Sequence, residues 1–153
     1  MTNKQAAIEI IKTLTKEGFC ALLAGGCVRD RLLGRAAKDY DVVTDAKPQE
    51  IVKLFRRTIK IGAKFGVIMV MIHRQKVEVA TFRTEYGYAD GRHPGKVKFC
   101  DAKDDAIRRD FTINGMFYDV TAEEVIHHVG GQADLQNRLI RTIGNANERF
   151  GED

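Results

Sequence analysis

The hydrophobic positions at the start of the chain predict a helix, a strand and a second helix. Apolar side chains recur at helical spacing over residues 4–17, and Gly18 can end that helix. Residues 19–24 form a nearly continuous apolar run, which is typical of a buried strand. A glycine pair at 25–26 makes the turn, and residues 27–33 then predict a short helix.

The middle of the chain predicts more strands around a third helix. We expect a strand at residues 40–43, and a helix over residues 49–57 because Pro48 suits the first position of a helix. Two β-rich runs, at residues 67–72 and 77–82, are separated by a short polar stretch. This spacing predicts an antiparallel hairpin.

The remaining part of the chain predicts a loop, a helix and a strand. Residues 84–98 are polar and rich in glycine and proline, which indicates a mobile loop. Helical spacing returns over residues 104–118, and a short strand is expected at 125–129. Residues 138–143 fit either a strand or a helix. The predicted fold class is α/β (α+β), a small mixed sheet with helices packed against it.

Composition narrows the class of protein only slightly. The 153 residues suffice for one domain with a core, and the formal charge of +4 fits a polyanionic ligand without requiring one. Cys20, Cys27 and Cys100 are odd in number and scattered, which argues against a disulfide framework or a structural zinc site. No apolar run reaches membrane-span length, so we expect a soluble, cytoplasmic protein.

Three carboxylates are the first candidates for chemistry. Asp39 and Asp41 are two residues apart, so in an extended strand they share one face, about 7 Å apart. Like charges that close repel, which suggests a cation such as Mg²⁺ between them; the alternative is a polar strand end. Glu78 could join them and accept a proton if its hairpin pairs beside their strand, and otherwise would be an exposed edge residue.

The glycine pair is a candidate phosphate-binding turn. Gly25 and Gly26 follow a buried strand and open a helix, where backbone N–H groups favour anions. The sequence is neither a Walker A loop nor the G-x-G-x-x-G fingerprint, and a simple tight turn is the alternative. Arg29, one helical turn further on, could reach a phosphate, and Asp30 could orient it.

A fourth group of polar residues lies on the helix predicted over residues 104–118. Asp110 and Asn114 are four residues apart and share a helix face. Arg109 carries a fork of donors suited to phosphate or ribose, while Arg108 must face elsewhere, towards solvent or RNA. The alternative for each of these charges is an ordinary surface helix.

Four motifs together resemble one family. Residues 25–34 (Gly-Gly-Cys-Val-Arg-Asp-Arg-Leu-Leu-Gly), 38–44 (Lys-Asp-Tyr-Asp-Val-Val-Thr), 78–83 (Glu-Val-Ala-Thr-Phe-Arg) and 108–114 (Arg-Arg-Asp-Phe-Thr-Ile-Asn) stand in its order and spacing. They resemble the head domain of class II tRNA nucleotidyltransferases, which comprise bacterial CCA-adding enzymes and bacterial poly(A) polymerases. The resemblance extends from about residue 19 to the C-terminus and implies the nucleotidyltransferase (polymerase beta-like) fold.

The resemblance also implies a reaction and roles for residues. An RNA 3′-hydroxyl, with tRNA as the favoured RNA, would attack the α-phosphate of CTP or ATP and release pyrophosphate. Asp39 and Asp41 would bind two Mg²⁺ ions, and Glu78 would be the third catalytic carboxylate. The loop over residues 84–98 would help the switch from C to A addition. The nucleotide would be bound by residues from three motifs and the chain's end: Gly25, Gly26, Arg29, Asp30, Arg109, Asp110, Asn114 and Asp153.

The resemblance further implies a domain organisation. Residues 1–153 would be the head domain, with the neck starting at about 139–153 and the remaining neck, body and tail absent. Family members continue with Glu-Asp-x-x-Arg, whose Asp and Arg read the incoming base, whereas here Glu152 and Asp153 open the motif without the Arg. We therefore expect weak or unselective activity from these residues alone.

Several alternatives remain at this point. CCA addition and poly(A) addition use nearly the same head motifs, and CCA addition is favoured only because it is more widespread in the family. A small-molecule nucleotidyltransferase is disfavoured by the motif at residues 108–114. A non-catalytic RNA- or nucleotide-binding module is disfavoured by the three intact carboxylates, since binding alone gains nothing from like charges held together. The sequence does not indicate an oligomeric state.

Overall fold

The computed structural model describes residues 1–86, 96–99, 101–102, 105 and 115–127. The helices in this part of the chain are α1 (Asn3–Lys16), α2 (Gly26–Leu32), α3 (Pro48–Leu54) and a 3-10 turn at Ala63–Phe65. The strands are β1 (Ala21–Ala24), β2 (Asp41–Thr44), β3 (Thr58–Gly62), β4 (Val67–Ile72), β5 (Gln75–Thr81), β6 (Arg83–Tyr86), β7 (Lys96–Phe99), β8 (Met116–Asp119) and β9 (Glu124–His127).

Seven of the strands form one mixed sheet, in the spatial order β3-β4-β5-β2-β1-β8-β9. Strands β2 and β5 run parallel, with Val42 opposite Val79, and the other neighbours in this sheet are antiparallel. Strands β6 and β7 pair separately. The predicted fold class, a small mixed sheet with helices, is confirmed, and so is the hairpin formed by β4 and β5.

Helix α1 covers one face of the sheet with an apolar stripe. A capping box between Thr2 and Gln5 begins the helix, and Gly18, with φ of +90°, allows the chain to leave it. The helix side chains in this core have no exposed surface: Ala6, Ala7, Ile10, Ile11 and Leu14. Each fully buried Ile or Leu contributes about 1.5–3 kcal/mol, so this stripe fixes α1, including its N-terminus, against β2 and β5.

The opposite face of the sheet carries a smaller core. Phe82 and Phe117 meet edge to face there, with ring centroids 5.9 Å apart and planes at 72°. Leu22, Ala24 and Val43 complete this cluster from the centre of the sheet. The apolar cover stops short of the N-terminal ends of β2 and β5, which leaves their polar residues exposed.

Two predictions of secondary structure are wrong in part. The loop predicted over residues 84–98 has strand at both ends, because β6 and β7 pair from Arg83–Phe99 to Tyr86–Lys96; residues 87–95 lie outside the described part. The helix predicted over residues 104–118 is wrong at its end, since Met116 begins β8. Gly115, a poor helix residue, precedes that strand in a bend, so the helical spacing had been extended past a break.

Other predictions shift by a few residues or cannot be compared. The strand expected at 125–129 is β9, while β3 had no predicted counterpart. Residues 106–114, 130–131 and 138–143 lie outside the described residues. In the described part of the chain, every helix is too short or too polar to cross a membrane.

Candidate functional site

Three acidic residues lie where the parallel pairing of β2 with β5 begins. Asp41 and Glu78 each immediately precede the paired residues Val42 and Val79, so they lie side by side where β2 and β5 begin to pair. The two valines are buried beneath α1, so the alternation of a strand directs both carboxylates to the opposite face. Asp39 lies just before β2, and all three acidic side chains are exposed.

These carboxylates line a common cleft of about 380 Å³. The other residues that line it are Asn3, Tyr40, Met69 and Lys76. Lys76 lies two residues before Glu78 and therefore on the same face of β5. The sequence predicted that Glu78 could join the aspartates if its hairpin pairs beside the strand of Asp41. Strand β5 of that hairpin pairs with β2, so this condition is met.

The cleft offers oxygen ligands rather than a closed metal cage. Among the described residues, no three His, Cys, Asp or Glu side chains lie close enough to hold one ion. Magnesium is commonly bound by one or two carboxylates together with water and substrate phosphates, because it gives up its hydration shell reluctantly. Asp39 and Asp41, like Glu78, line this cleft and could supply such carboxylates.

The glycine turn lies directly beside Asp41. Ala24, the last residue of β1, pairs with Asp41, and Gly25 follows it with φ of +74° and ψ of −140°. Few residues other than glycine adopt this backbone conformation. Helix α2 starts at Gly26, so the turn and the first amides of the helix stand next to the carboxylate cleft.

Arg29 is held over this turn by its neighbour in the sequence. Both its Nε and an Nη donate to Oδ1 of Asp30, at 3.2 Å each. A Cβ placed on Gly26 would lie 3.4 Å from the Arg29 guanidinium, which shows how closely that group approaches the glycine backbone. The pair is only partly buried, so the guanidinium remains accessible to a ligand.

Cys27 packs behind the site and is chemically quiet. Burial raises the pKa of its thiol to about 11; a hydrogen bond from the Asp41 backbone opposes this shift and the Asp41 carboxylate adds to it. Its Sγ donates to the carbonyl of Ala24 at 3.2 Å. A thiol that stays protonated at neutral pH is a poor nucleophile or metal ligand, so Cys27 serves packing beneath the glycine turn.

The structure brings together only some of the residues singled out in the sequence. Asp39, Asp41 and Glu78 share the cleft, and Gly25, Gly26, Arg29 and Asp30 form the adjoining turn. The other predicted nucleotide-binding residues lie outside the described part of the chain: Arg109, Asp110, Asn114 and Asp153.

Four cleft residues had not been recognised in the sequence, namely Asn3, Tyr40, Met69 and Lys76. Two of them had a usable signal. Tyr40 stands between the two aspartates, and Lys76 shares the alternating face of Glu78. Asn3 had none, because a polar residue at the first position of a helix is ordinary.

Comparison with known proteins decides the family. Residues 21–141 match the family described as the poly A polymerase head domain. The chain belongs to this family. The resemblance found in the sequence motifs is thereby confirmed, and the head-domain match includes the cleft carboxylates and the glycine turn.

Individual members of the family agree with this placement. The chain is 44% identical to a CCA-adding enzyme of Bacillus pumilus over 96% of its own length and 37% of that protein's length. It superposes on the crystal structure of the Bacillus stearothermophilus CCA-adding enzyme in complex with CTP with a TM-score of 0.87, at 37% identity, covering 100% of this chain and 36% of that one.

A third similarity is to a tRNA nucleotidyltransferase complexed with a primer tRNA and an incoming ATP analog. The TM-score is 0.68 at 30% identity, over 88% of this chain and 38% of that one. In all three comparisons this head domain spans a little over a third of the relative's length.

Proposed function

We propose that this head domain catalyses template-independent addition of CMP and AMP, from CTP and ATP, to the 3′ end of tRNA, with release of pyrophosphate. The observation that carries the proposal is the placement of Asp41 and Glu78 side by side on parallel strands, next to the glycine turn that follows β1. Relatives of the same fold are CCA-adding enzymes, one of them bound to CTP. Such an enzyme is expected in the cytoplasm.

The glycine turn and Arg29 would bind the triphosphate. Gly25 and Gly26 leave the backbone open to close approach, and N–H groups at the start of α2 can donate to phosphate oxygens. Asp30 holds the Arg29 guanidinium over the turn, where its charge would stabilise the β- and γ-phosphates as they leave. Arg109, Asp110, Asn114 and Asp153 remain proposed contacts to the sugar, phosphates and base.

The carboxylates would serve the transfer itself. The 3′-oxygen of the RNA forms a bond to the α-phosphorus while the bond from that phosphorus to the pyrophosphate oxygen breaks. Glu78, which lines the same cleft, would accept the proton that the hydroxyl loses. Asp39 and Asp41 would hold two Mg²⁺ ions together with substrate phosphates. Bound Mg²⁺ would lower the pKa of the hydroxyl and stabilise charge on the transferring phosphoryl group.

Addition of AMP alone, as by a poly(A) polymerase, is the second candidate, because the family description covers that activity. The two candidates differ in product. A CCA-adding head gives C, C and then A on a truncated tRNA, whereas a poly(A) polymerase gives a run of A on many RNAs.

The test is incorporation of labelled CTP and ATP, supplied separately and together, onto tRNA lacking its 3′ CCA and onto an unrelated RNA. We expect Mg²⁺-dependent addition of C to the tRNA, with A also added when both nucleotides are present; for residues 1–153 alone we expect this addition to be weak or unselective. Addition of A alone to both RNAs would support the poly(A) candidate. No addition by a folded protein that binds CTP would contradict the proposed activity.

A further inference from the structure

Asn3 joins the two strands of the carboxylate cleft through its side chain. Its Nδ2 donates to the carbonyl of Lys76 at 2.9 Å, and its Oδ1 accepts from the N–H of Tyr40 at 2.9 Å. The opposite orientation of the amide would set its NH₂ against an N–H and its oxygen against a carbonyl, so these partners fix the orientation. Asn3 lies outside the segment, residues 21–141, that matches the family.

Both partners of Asn3 are backbone groups adjacent to the acidic residues. Tyr40 lies between Asp39 and Asp41, and Lys76 lies two residues before Glu78. A single amide therefore bridges the segment that carries the two aspartates and the strand that carries the third carboxylate.

The hydrogen bonds of Asn3 lie just before the point where β2 and β5 begin to pair. The parallel pairing of β2 with β5 begins at Val42 and Val79, so Tyr40 precedes the paired residues. The segment before Asp41 has no regular secondary structure of its own. The amide of Asn3 supplies the cross-strand hydrogen bonds that a longer ladder would have made.

Asn3 is itself held firmly at the start of α1. In the capping box, the backbone N–H of Thr2 donates to Oε1 of Gln5 at 2.9 Å, and Gln5 N–H donates to Oγ1 of Thr2 at 3.2 Å. Gln75, at the start of β5, also donates to the carbonyl of Met1 at 3.1 Å. The N-terminal turn is thus tied to β5 independently of Asn3.

We propose that Asn3 is a positioning residue for nucleotidyl transfer: it holds the Asp39–Asp41 segment in register with β5, so that the aspartates and Glu78 face one cleft. This inference rests on the proposed function. Misplacing reacting groups by about 1 Å can cost on the order of 100-fold in rate. A partner that orients metal-binding carboxylates commonly changes metal affinity by roughly 10- to 100-fold.

The test compares Asn3→Ala with Gln5→Ala, which breaks the capping box in the same helical turn without touching the cleft. We measure kcat and KM for CTP, the affinity for Mn²⁺ by isothermal titration calorimetry, and Tm. For Asn3→Ala we expect kcat and Mn²⁺ affinity each to fall about tenfold, with KM nearly unchanged. Gln5→Ala should lower Tm and leave the other quantities near the wild-type values, because Gln75 still holds the N-terminal turn against β5.

A further variant guards against misfolding. Asn3→Asp keeps the side-chain size and the acceptor for Tyr40, and a carboxylate suits the first turn of a helix; it replaces the donor to the Lys76 carbonyl with a carboxylate oxygen and adds a negative charge to the cleft. We expect its kcat to fall as well, with Tm preserved. Two results would overturn the inference. One is wild-type kcat and KM in Asn3→Asp. The other is a loss of kcat and Mn²⁺ affinity in Asn3→Ala that Gln5→Ala also shows, in proportion to its fall in Tm. If the wild type transfers no nucleotide, the proposed function is wrong. Unchanged Mn²⁺ affinity in Asn3→Ala would separately refute the positioning role of Asn3.

Discussion

Substitution of Gly26 tests whether the fold or the ligand requires glycine at this position. Gly26 opens α2, and its φ is not in the left-handed region. A Cβ at this position would meet only the Arg29 side chain, at 3.4 Å, which is ordinary contact with the end of a flexible group. The fold therefore accepts alanine here. Because alanine is favoured over glycine in a helix by about 0.5–1 kcal/mol, Gly26→Ala should raise Tm by roughly 1–4 °C for a domain of this size.

The same change should damage binding of the triphosphate. A methyl group on the face of the turn would keep a phosphate oxygen from its backbone donor. Loss of one hydrogen bond to a charged group costs about 1.5–3 kcal/mol, which corresponds to roughly 10- to 150-fold in kcat/KM. The assay is steady-state CMP addition to tRNA lacking CCA, with Tm measured by calorimetry on the same samples.

Gly34→Ala is the matched control. Gly34 has open space around it but φ of +70°, so alanine there is strained by the backbone alone and lies beyond the end of α2. This substitution should lower the free energy of unfolding by about 1–3 kcal/mol and therefore lower Tm. It should leave kcat/KM unchanged. Two results would refute the proposal that the ligand requires glycine at position 26. One is a fall in Tm for Gly26→Ala, and the other is a raised Tm with wild-type kcat/KM.

Three further predictions follow from buried and paired groups. Burial raises the pKa of Cys27 from 9.0 to about 11 in the folded protein, so the thiol ionises more readily once the protein unfolds. The contribution of this thiol to the free energy of unfolding should be fully present below pH 9 and be lost as the pH rises to about 11. Urea unfolding of wild type and Cys27→Ala across this pH range measures the loss. Thr81→Val removes the buried donor to the Ala46 carbonyl and should cost about 1–3 kcal/mol in urea unfolding, with an unchanged m-value. Asp30→Asn weakens a partly exposed pair worth about 0–1 kcal/mol, so Tm should change little while KM for CTP rises as Arg29 loses its anchor; equal KM values would contradict this role.

Local patterns in the sequence predicted the part of the fold that local physics decides. The buried stripe of α1, the strand before Gly25 and the β4–β5 hairpin each follow from spacing and turn residues. Strand β3 was not predicted although Ile59 and Ile61 alternate with polar residues, because so short an alternation is weak as a signal; both isoleucines lie exposed at the edge of the sheet.

The site was predictable to the extent that its residues lie in compact motifs. The alternation around Asp41 and Glu78 indicated their faces, but their proximity depends on the parallel pairing of β2 and β5, which periodicity within one strand does not specify. Asn3 shows the limit most clearly. Its partners, Tyr40 and Lys76, are distant in sequence, and only the folded chain brings them to one amide.

Asp39, Asp41 and Glu78, where the pairing of β2 with β5 begins, are the carboxylates proposed to carry out nucleotidyl transfer. The most direct measurement is single-turnover addition of labelled CMP to tRNA lacking CCA by wild type and Asp41→Asn, with Glu9→Gln on the exposed side of α1 as the matched neutralisation. We predict at least a roughly 1000-fold loss for Asp41→Asn, since removing one transition-state electrostatic group costs about 100- to 1000-fold and the metal site is weakened as well. Glu9→Gln should match wild type. Wild-type rates in a folded Asp41→Asn protein would contradict the assignment of this cleft as the active site.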